Sequence, residues 1–279
     1  GAIIKWIPLT DETRLDLNNA TEILKNAKVF AFSAASNVTG TVTQVKELVE
    51  LAKAAGAISV VDACQYVPHL KLNIKDWDAD FIAFSAHKML GPTGLGILWG
   101  KEELLNAMDP FLGGGSMIEE VTLEGFTSAP LPEKFEAGTP AIVEAIGTGS
   151  AIDYLESIGF KNLLDHEKML TDYALDMFKN RFDGKVTLHG PKISDDRLAV
   201  FSFTIKEVHP HDVSQVLDES GVCVRAGHHC AKPLMRVLSE GDRVGIGATS
   251  RASAYLYNTT DDFDRLGDAI EKAIKFFAI

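Results

Sequence analysis

Apolar residues in the first third of the chain gather into short, nearly continuous runs. Residues 29–32 (Val-Phe-Ala-Phe), 58–61 (Ile-Ser-Val-Val) and 81–84 (Phe-Ile-Ala-Phe) have the texture of strands buried on both faces. Between the first two, residues 45–55 carry apolar side chains at helical spacing and stop at Gly56, a fitting C-cap. Strand, helix, strand in this order predicts parallel pairing under a helical cover. Residues 1–9 read as an earlier strand and 16–26 as a short helix. After the third run, Gly91-Pro-Thr-Gly94-Leu-Gly96 reverses the chain ahead of a strand at 97–99 and a short helix at 101–108. Residues 111–140 are rich in Gly, Pro, Thr and Glu and too long for an ordinary connection, which predicts a lid or a subunit contact.

The longest helical patterns are 141–158 and 163–182. From residue 186 the texture changes to strands at 186–189, 198–205, 222–224 and 251–257, with helices at 212–219 and 261–277. The prediction is an α/β protein with a mostly parallel large domain over residues 1–145 and a small α+β domain over 146–279.

Polar residues stand at the ends of the apolar runs. Asp62 closes the second, and Ser85, His87 and Lys88 follow the third. In open α/β sheets the carboxyl ends of strands are where ligands bind. An acid, a hydroxyl, an imidazole and an amine at that edge suit an aromatic aldehyde phosphate, pyridoxal phosphate. Lys88 can form the Schiff base, and Asp62 can keep the pyridinium nitrogen protonated so that the ring is an electron sink. Gln65 can reach the ring hydroxyl, and Ser85 and His87 can donate to the phosphate. A lone lysine in such a place would read as a solvated loop residue; the ordered set does not.

A second cluster, Val224-Arg225-Ala-Gly-His228-His229-Cys230-Ala-Lys-Pro, places a cysteine beside an arginine and two histidines. That is the electropositive setting of a nucleophilic thiol. The rival reading is a metal site. Adjacent residues cannot easily point at one ion, and no Cys-x-x-Cys supplies further ligands, so no metal is expected. Cys64 and Cys223, in apolar strand-like contexts, read as buried structural residues. His166, His189, His209 and His211 read as helix, strand-end or capping residues, and Tyr255 and Tyr257 as packing along the strand at 251–257.

Composition narrows the function class. The net charge of −12 and the lack of a basic run argue against nucleic acid. No apolar stretch reaches the ~20 residues of a membrane span. The three cysteines are an odd number without framework spacing, which suits a reducing, cytoplasmic setting.

Ser-Ala-His-Lys-Met-Leu-Gly-Pro-Thr-Gly-Leu-Gly, with Val-Val-Asp-Ala-Cys-Gln before it and Arg-Ala-Gly-His-His-Cys-Ala-x-Pro after it, resembles the class V aminotransferase family, and within it the SUF-type (group II) cysteine desulfurases. The resemblance implies the pyridoxal phosphate-dependent transferase fold type I. It also implies conversion of L-cysteine to L-alanine with a persulfide on Cys230, in a homodimer that passes sulfur to an acceptor protein of the SUF system for iron–sulfur cluster assembly. Asn37 then lies near the cofactor and the substrate carboxylate, Arg251 clamps that carboxylate, Thr139 reaches the phosphate of the neighbouring subunit, and Arg225 supports the cysteine loop. A selenocysteine lyase or another class V lyase would share Asp62 and Lys88, and a non-catalytic dimerisation module is the alternative outside catalysis. Relatives carry a longer N-terminal segment that supplies phosphate-binding backbone groups and a ring-stacking histidine. No histidine here precedes His69, so the large domain is expected to be N-terminally incomplete. Ser116 stands where relatives usually carry an acid.

Overall fold

In the computed structural model, which describes residues 1–182, 184–238 and 247–278, the three apolar runs become neighbouring strands. The chain forms two compact units, each drawn from separate stretches. One comprises Leu24–Ser33 and Val45–Ile158, the other Gly1–Ile23, Ala34–Gln44 and Gly159–Ile279.

A short helix, α1 (Ala20–Leu24), precedes the strands. The unit that holds them contains β1 (Val29–Ser33), α2 (Val45–Ala54), β2 (Ile58–Asp62), α3 (Ile74–Trp77), β3 (Phe81–Ser85), β4 (Gly96–Gly100) and α4 (Glu102–Ala107). It continues through the hairpin β5 (Ile118–Val121) and β6 (Phe126–Ser128) to α5 (Ile142–Ile158). The sheet order is β1-β2-β3-β4, parallel across the first two pairings and antiparallel at the last. Helix α2 buries Val45, Leu48, Val49 and Ala52, the single face that its spacing predicts. Gly56 follows it at φ +66°, a left-handed conformation that costs a glycine little. At the entrance to β3, Asp80 Oδ2 accepts from the Ser59 amide at 2.8 Å and the Ser59 hydroxyl at 2.9 Å. Those bonds satisfy a fully buried hydroxyl inside β2 and fix the β2/β3 register.

The other unit contains α6 (Phe160–Arg181), β7 (Val186–Leu188), β8 (Val200–Ile205), α7 (Pro210–Asp218), β9 (Arg225–Gly227), α8 (Lys232–Leu238), β10 (Thr249–Ser253) and α9 (Thr260–Phe276). Its sheet, ordered β7-β8-β10-β9, is antiparallel throughout. Helices α6, α7 and α9 pack with it around Phe178, Phe201, Phe203, Phe263 and Ile270. The stretch Ala34–Gln44 belongs to this unit because β8 and the turn before it hold it. Leu198 N–H donates to Gly40 O at 2.8 Å, Val42 N–H to Asp196 O at 2.9 Å and the Ser202 hydroxyl to Val38 O at 2.6 Å.

Several expected elements differ. Residues 1–9 form no strand; their one ladder contact is the isolated Leu9–Leu15 bridge, and Ile3, Ile4 and Trp6 are exposed. Apolar alternation makes a strand only where a neighbour offers backbone partners. The helix at 16–26 shrinks to α1. The strand expected at 222–224 lies at Arg225–Gly227, because pairing with Thr249–Arg251 of β10 sets its position and valine content does not. Strand β10 ends at Ser253, so Tyr255 and Tyr257 fall in the turn beyond it, stacked edge to face. Residues 111–140 carry their own hairpin, with Val121, Leu123 and Phe126 exposed. Among the described residues no helix is long and apolar enough to cross a membrane.

Gly190 provides a sharp test of packing beside the Ala34–Gln44 stretch. It sits at φ +99°, and a Cβ there would lie 2.4 Å from Thr39 O and 2.6 Å from Arg197 Nη1. Gly221, at φ +74°, has open space around it. Gly221→Ala should therefore cost only the left-handed penalty of about 1–2 kcal/mol. Gly190→Ala should cost about 2–3 kcal/mol more, because the Thr39 carbonyl is backbone and must move. Urea denaturation of the two variants checks the ranking; equal midpoints would contradict it.

Candidate active site

The end of the parallel sheet gathers the first group of polar side chains. Asp62, the last residue of β2, is in register with Ser33 of β1 and Ala83 of β3. The Cys64 amide donates to Asp62 Oδ1 at 2.9 Å, an Asx turn that orients the carboxylate and bends the chain out of the strand. Gln65 follows, half-buried in that turn. Ser85 ends β3 opposite Gly96, and its Oγ lies 3.7 Å from Cys64 Sγ. A 3-10 turn, Ala86–Met89, then carries exposed His87 and half-buried Lys88. Leu90, left-handed at φ +66°, closes it by donating its N–H to Ala86 O. Gly91 is needed next, since a Cβ there would meet Ala86 O at 2.8 Å. Thr139 is exposed in the turn before α5.

Burial, followed by the hydrogen bond to Asp62, pushes the Cys64 thiol above its ordinary range. Cys64 is thus a neutral thiol that links the tips of β2 and β3. It is half-buried in the turn and not a strand residue, and Cys223 is exposed, so the reading of both as buried structural cysteines is corrected. Cys223 precedes β9 and so gains no cover from a second strand.

The second group lies in the other unit. β9 delivers the chain to His228, His229 and Cys230. Cys230 is exposed, and Arg225 Nη2 lies 3.5 Å from its sulfur. His229 is only 1% exposed. Its Nε2 is 3.0 Å from Thr249 O and 2.8 Å from Thr249 Oγ1. A carbonyl only accepts, so Nε2 carries the proton. Burial first, and Arg251 second, push His229 down to about 4. It is therefore a neutral anchor, which corrects its expected contribution to an electropositive loop. Asn37 Nδ2 donates to His229 O at 2.6 Å, and Arg251 Nη1 donates to Asn37 O at 2.8 Å. Arg251 Nε is buried without a hydrogen-bond partner among the described residues. Asn37, Arg225, Arg251 and Cys230, drawn from three separate stretches of the sequence, thus come together. Thr249 and the anchoring role of His229 were missed, because a polar Thr-Ser-Arg-Ala-Ser strand carries no hydropathy signal.

His189, just past β7, is likewise pushed down to about 4, by burial and then by Lys192 and Arg197. Both folded values lie below the ordinary 6.5, so between pH 6.5 and 4 the unfolded chain binds protons that the folded chain refuses. The stabilising contribution is complete above pH 6.5 and falls as the pH drops through that window, by on the order of 3 kcal/mol for each group. Urea midpoints should fall from pH 7 to pH 4.5, and His189→Gln should make the fall shallower. An unchanged slope in that variant would contradict the assignment.

The donor set at the sheet edge fits pyridoxal phosphate: a carboxylate for the ring nitrogen at the end of β2, a hydroxyl at the end of β3, and an imidazole and an amine on the 3-10 turn that follows, for a phosphate and an aldehyde. The family model described as Aminotransferase class-V matches residues 1–266. The chain is 48% identical over 278 residues to a probable cysteine desulfurase of Streptomyces coelicolor, covering 99% of this chain and 65% of that protein. It superposes on the apo structure of a cysteine desulfurase from Thermococcus onnurineus NA1 with TM-score 0.88 and 38% identity, covering 97% of this chain and 66% of that one. The cysteine desulfurase CsdA (S-sulfonic acid) from Escherichia coli gives TM-score 0.87 and 34% identity, with 97% and 65% covered. The chain therefore spans slightly less than two thirds of the length of these relatives. The expected α/β fold type I is borne out by these likenesses. A match along 266 of its 279 residues means that the chain belongs to the class V aminotransferase family.

Proposed function

We propose that the protein is a pyridoxal phosphate-dependent cysteine desulfurase of the SUF type, acting in the cytoplasm as a homodimer. The observation that carries this reading is the edge where Asp62 and Ser85 end the neighbouring strands β2 and β3, joined through Cys64, and Lys88 follows on the 3-10 turn after Ser85. When bound, the cofactor supplies an electron sink for the substrate's Cα. Asp62, held by the Cys64 amide, would accept from the ring nitrogen and keep it protonated. Ser85 and His87 would donate to the phosphate, and Gln65 to the ring hydroxyl.

Lys88 would first hold the aldehyde and then, as a free amine, take the Cα proton of L-cysteine. Arg251 has a buried Nε without a partner among the described residues, and a substrate carboxylate supplies the missing acceptor. Asn37 would stand beside it. The Cys230 thiolate attacks the substrate sulfur. The new bond is S–S, the Cβ–S bond breaks, and its electron pair stays on carbon, which is protonated to alanine. One sulfur atom moves, and no external reductant is consumed in that step. The persulfide would pass to a SUF acceptor protein. Exposed Leu123, Phe126, Val143 and Ile146 lie in the same unit as Thr139 and supply apolar surface for a second copy.

The test is alanine and sulfide release from L-cysteine with added pyridoxal phosphate and a reductant, for the chain and for Cys230→Ser. Turnover only in the unmodified chain supports the reading. Turnover in both would remove Cys230 from the mechanism, and turnover in neither would refute desulfurase activity for this chain.

A further inference from the structure

Two consecutive non-glycine residues, His229 at φ +51° and Cys230 at φ +63°, occupy the left-handed region. Each such residue costs about 1–2 kcal/mol and persists only where the surroundings over-determine it. The surroundings here are specific. The His229 ring is pinned to Thr249 through Nε2, and its carbonyl is pinned to Asn37 Nδ2 at 2.6 Å. Asn37 is itself held by Arg251 at 2.8 Å, and Ala231 N–H closes the turn on His228 O at 2.8 Å. The exposed corner of this turn is Cys230, beside Arg225.

We propose that His229 is the positioning residue of the Cys230 turn, a tether whose Nε2–H bond to Thr249 keeps the strained backbone in place and the thiol at Arg225. Its relevance to sulfur transfer rests on the reading of Cys230 as sulfur acceptor. The tether has one donor on the protein side. Nδ1 is buried without a hydrogen-bond partner among the described residues, so the ring makes no second bond that would compensate for loss of the first. Reach then becomes decisive. A glutamine amide nitrogen lies about as far from Cα as the histidine Nε2, whereas an asparagine amide nitrogen reaches only to the position of Nδ1. A histidine that merely fills space would instead rank the variants by side-chain volume, with alanine well below asparagine and asparagine only slightly below glutamine.

The experiment follows amide hydrogen exchange of peptides covering residues 225–231 in the full chain and in His229→Ala, His229→Asn and His229→Gln. Exchange there should be at least about 10-fold faster in the alanine and asparagine variants and within about threefold of the unmodified chain in the glutamine variant, with α6 and α9 unchanged in all. In the loaded protein, kcat for alanine release should fall at least about 10-fold in the asparagine variant with KM for L-cysteine within about twofold, and glutamine should restore it. Should the alanine variant fail to fold, the contrast between asparagine and glutamine decides the matter without it. Unchanged exchange in the asparagine variant, or glutamine exchanging as fast as asparagine, overturns the proposal. Absence of turnover in the unmodified chain would refute the desulfurase reading alone, since the exchange ranking decides the tether without any cofactor.

Discussion

Lys88→Ala should abolish alanine release from L-cysteine, with a loss of at least about 1,000-fold in kcat. Positioned general acid–base catalysis alone contributes roughly 100- to 10,000-fold. Here the same amine would also hold the cofactor aldehyde, so two functions disappear with one side chain. The substitution should leave the fold intact. Lys88 lies on a short 3-10 turn whose buried side chains are Ala86 and Met89, and the turn is closed by backbone bonds from Leu90 and Gly91 to Ala86 O. Lys88→Arg should fail almost as badly, because a guanidinium does not give up its proton near neutral pH. Thermal unfolding of both variants, run beside the alanine assay, separates loss of chemistry from loss of fold. A Lys88→Ala protein that kept a tenth of the native rate would remove Lys88 from the proton-transfer step.

That site was legible in the sequence because the parallel strands of an α/β sheet announce themselves. Residues 29–32, 58–61 and 81–84 are continuous apolar runs, so their ends and the polar residues that follow could be located by counting; the cover expected on both faces is closest to realised in β3, which buries Phe81 and Ile82 in succession, whereas β1 buries Phe30 and leaves Val29 and Ala31 exposed. Asp62, Ser85 and Lys88 inherit their positions from that pattern. The Cys230 turn follows the opposite rule. Its supports are Asn37, 192 residues away from His229, and Thr249 in a strand of polar residues. Ser250 and Thr249 are buried because their hydroxyls find partners: Ser250 Oγ donates to Pro210 O at 3.2 Å, and Thr249 Oγ1 meets His229. Hydropathy treats such residues as surface. The same blindness displaced β9 from the valines at 222 and 224 to Arg225–Gly227, where the register of β10 and not side-chain preference sets the strand. Motif chemistry picked out Cys230 and Arg225, while the packing that holds them was visible only in three dimensions.

The energetic centre of the unit that carries Cys230 should be Phe201, and Phe201→Ala should cost it about 4 kcal/mol. The ring is fully buried in the middle of the antiparallel sheet, on β8. It stacks on Phe178 of α6 at 6.2 Å and 28°, meets Phe263 of α9 edge to face at 5.4 Å and 86°, and receives the Arg197 guanidinium 5.0 Å from its centroid. Truncating a buried phenylalanine typically costs about 3–5 kcal/mol through lost burial and the cavity that remains. The guanidinium adds a reason for the upper half of that range. Arg197 is 4% exposed and donates to the carbonyls of Pro191 at 2.6 Å and Val200 at 2.8 Å. Its Nε has no hydrogen-bond partner among the described residues, so the ring face is a substantial part of its compensation for desolvation. Burial has already lowered this guanidinium to about 10. Phe201→Leu restores most of the apolar volume but no π face, so it should recover part of the loss and remain about 1–2 kcal/mol below the native protein. Urea denaturation, read through amide exchange in α6 and α9, measures both variants. A Phe201→Leu protein as stable as the native one would show that the ring contributes volume alone, and a loss below about 1 kcal/mol for Phe201→Ala would move the centre of this core elsewhere.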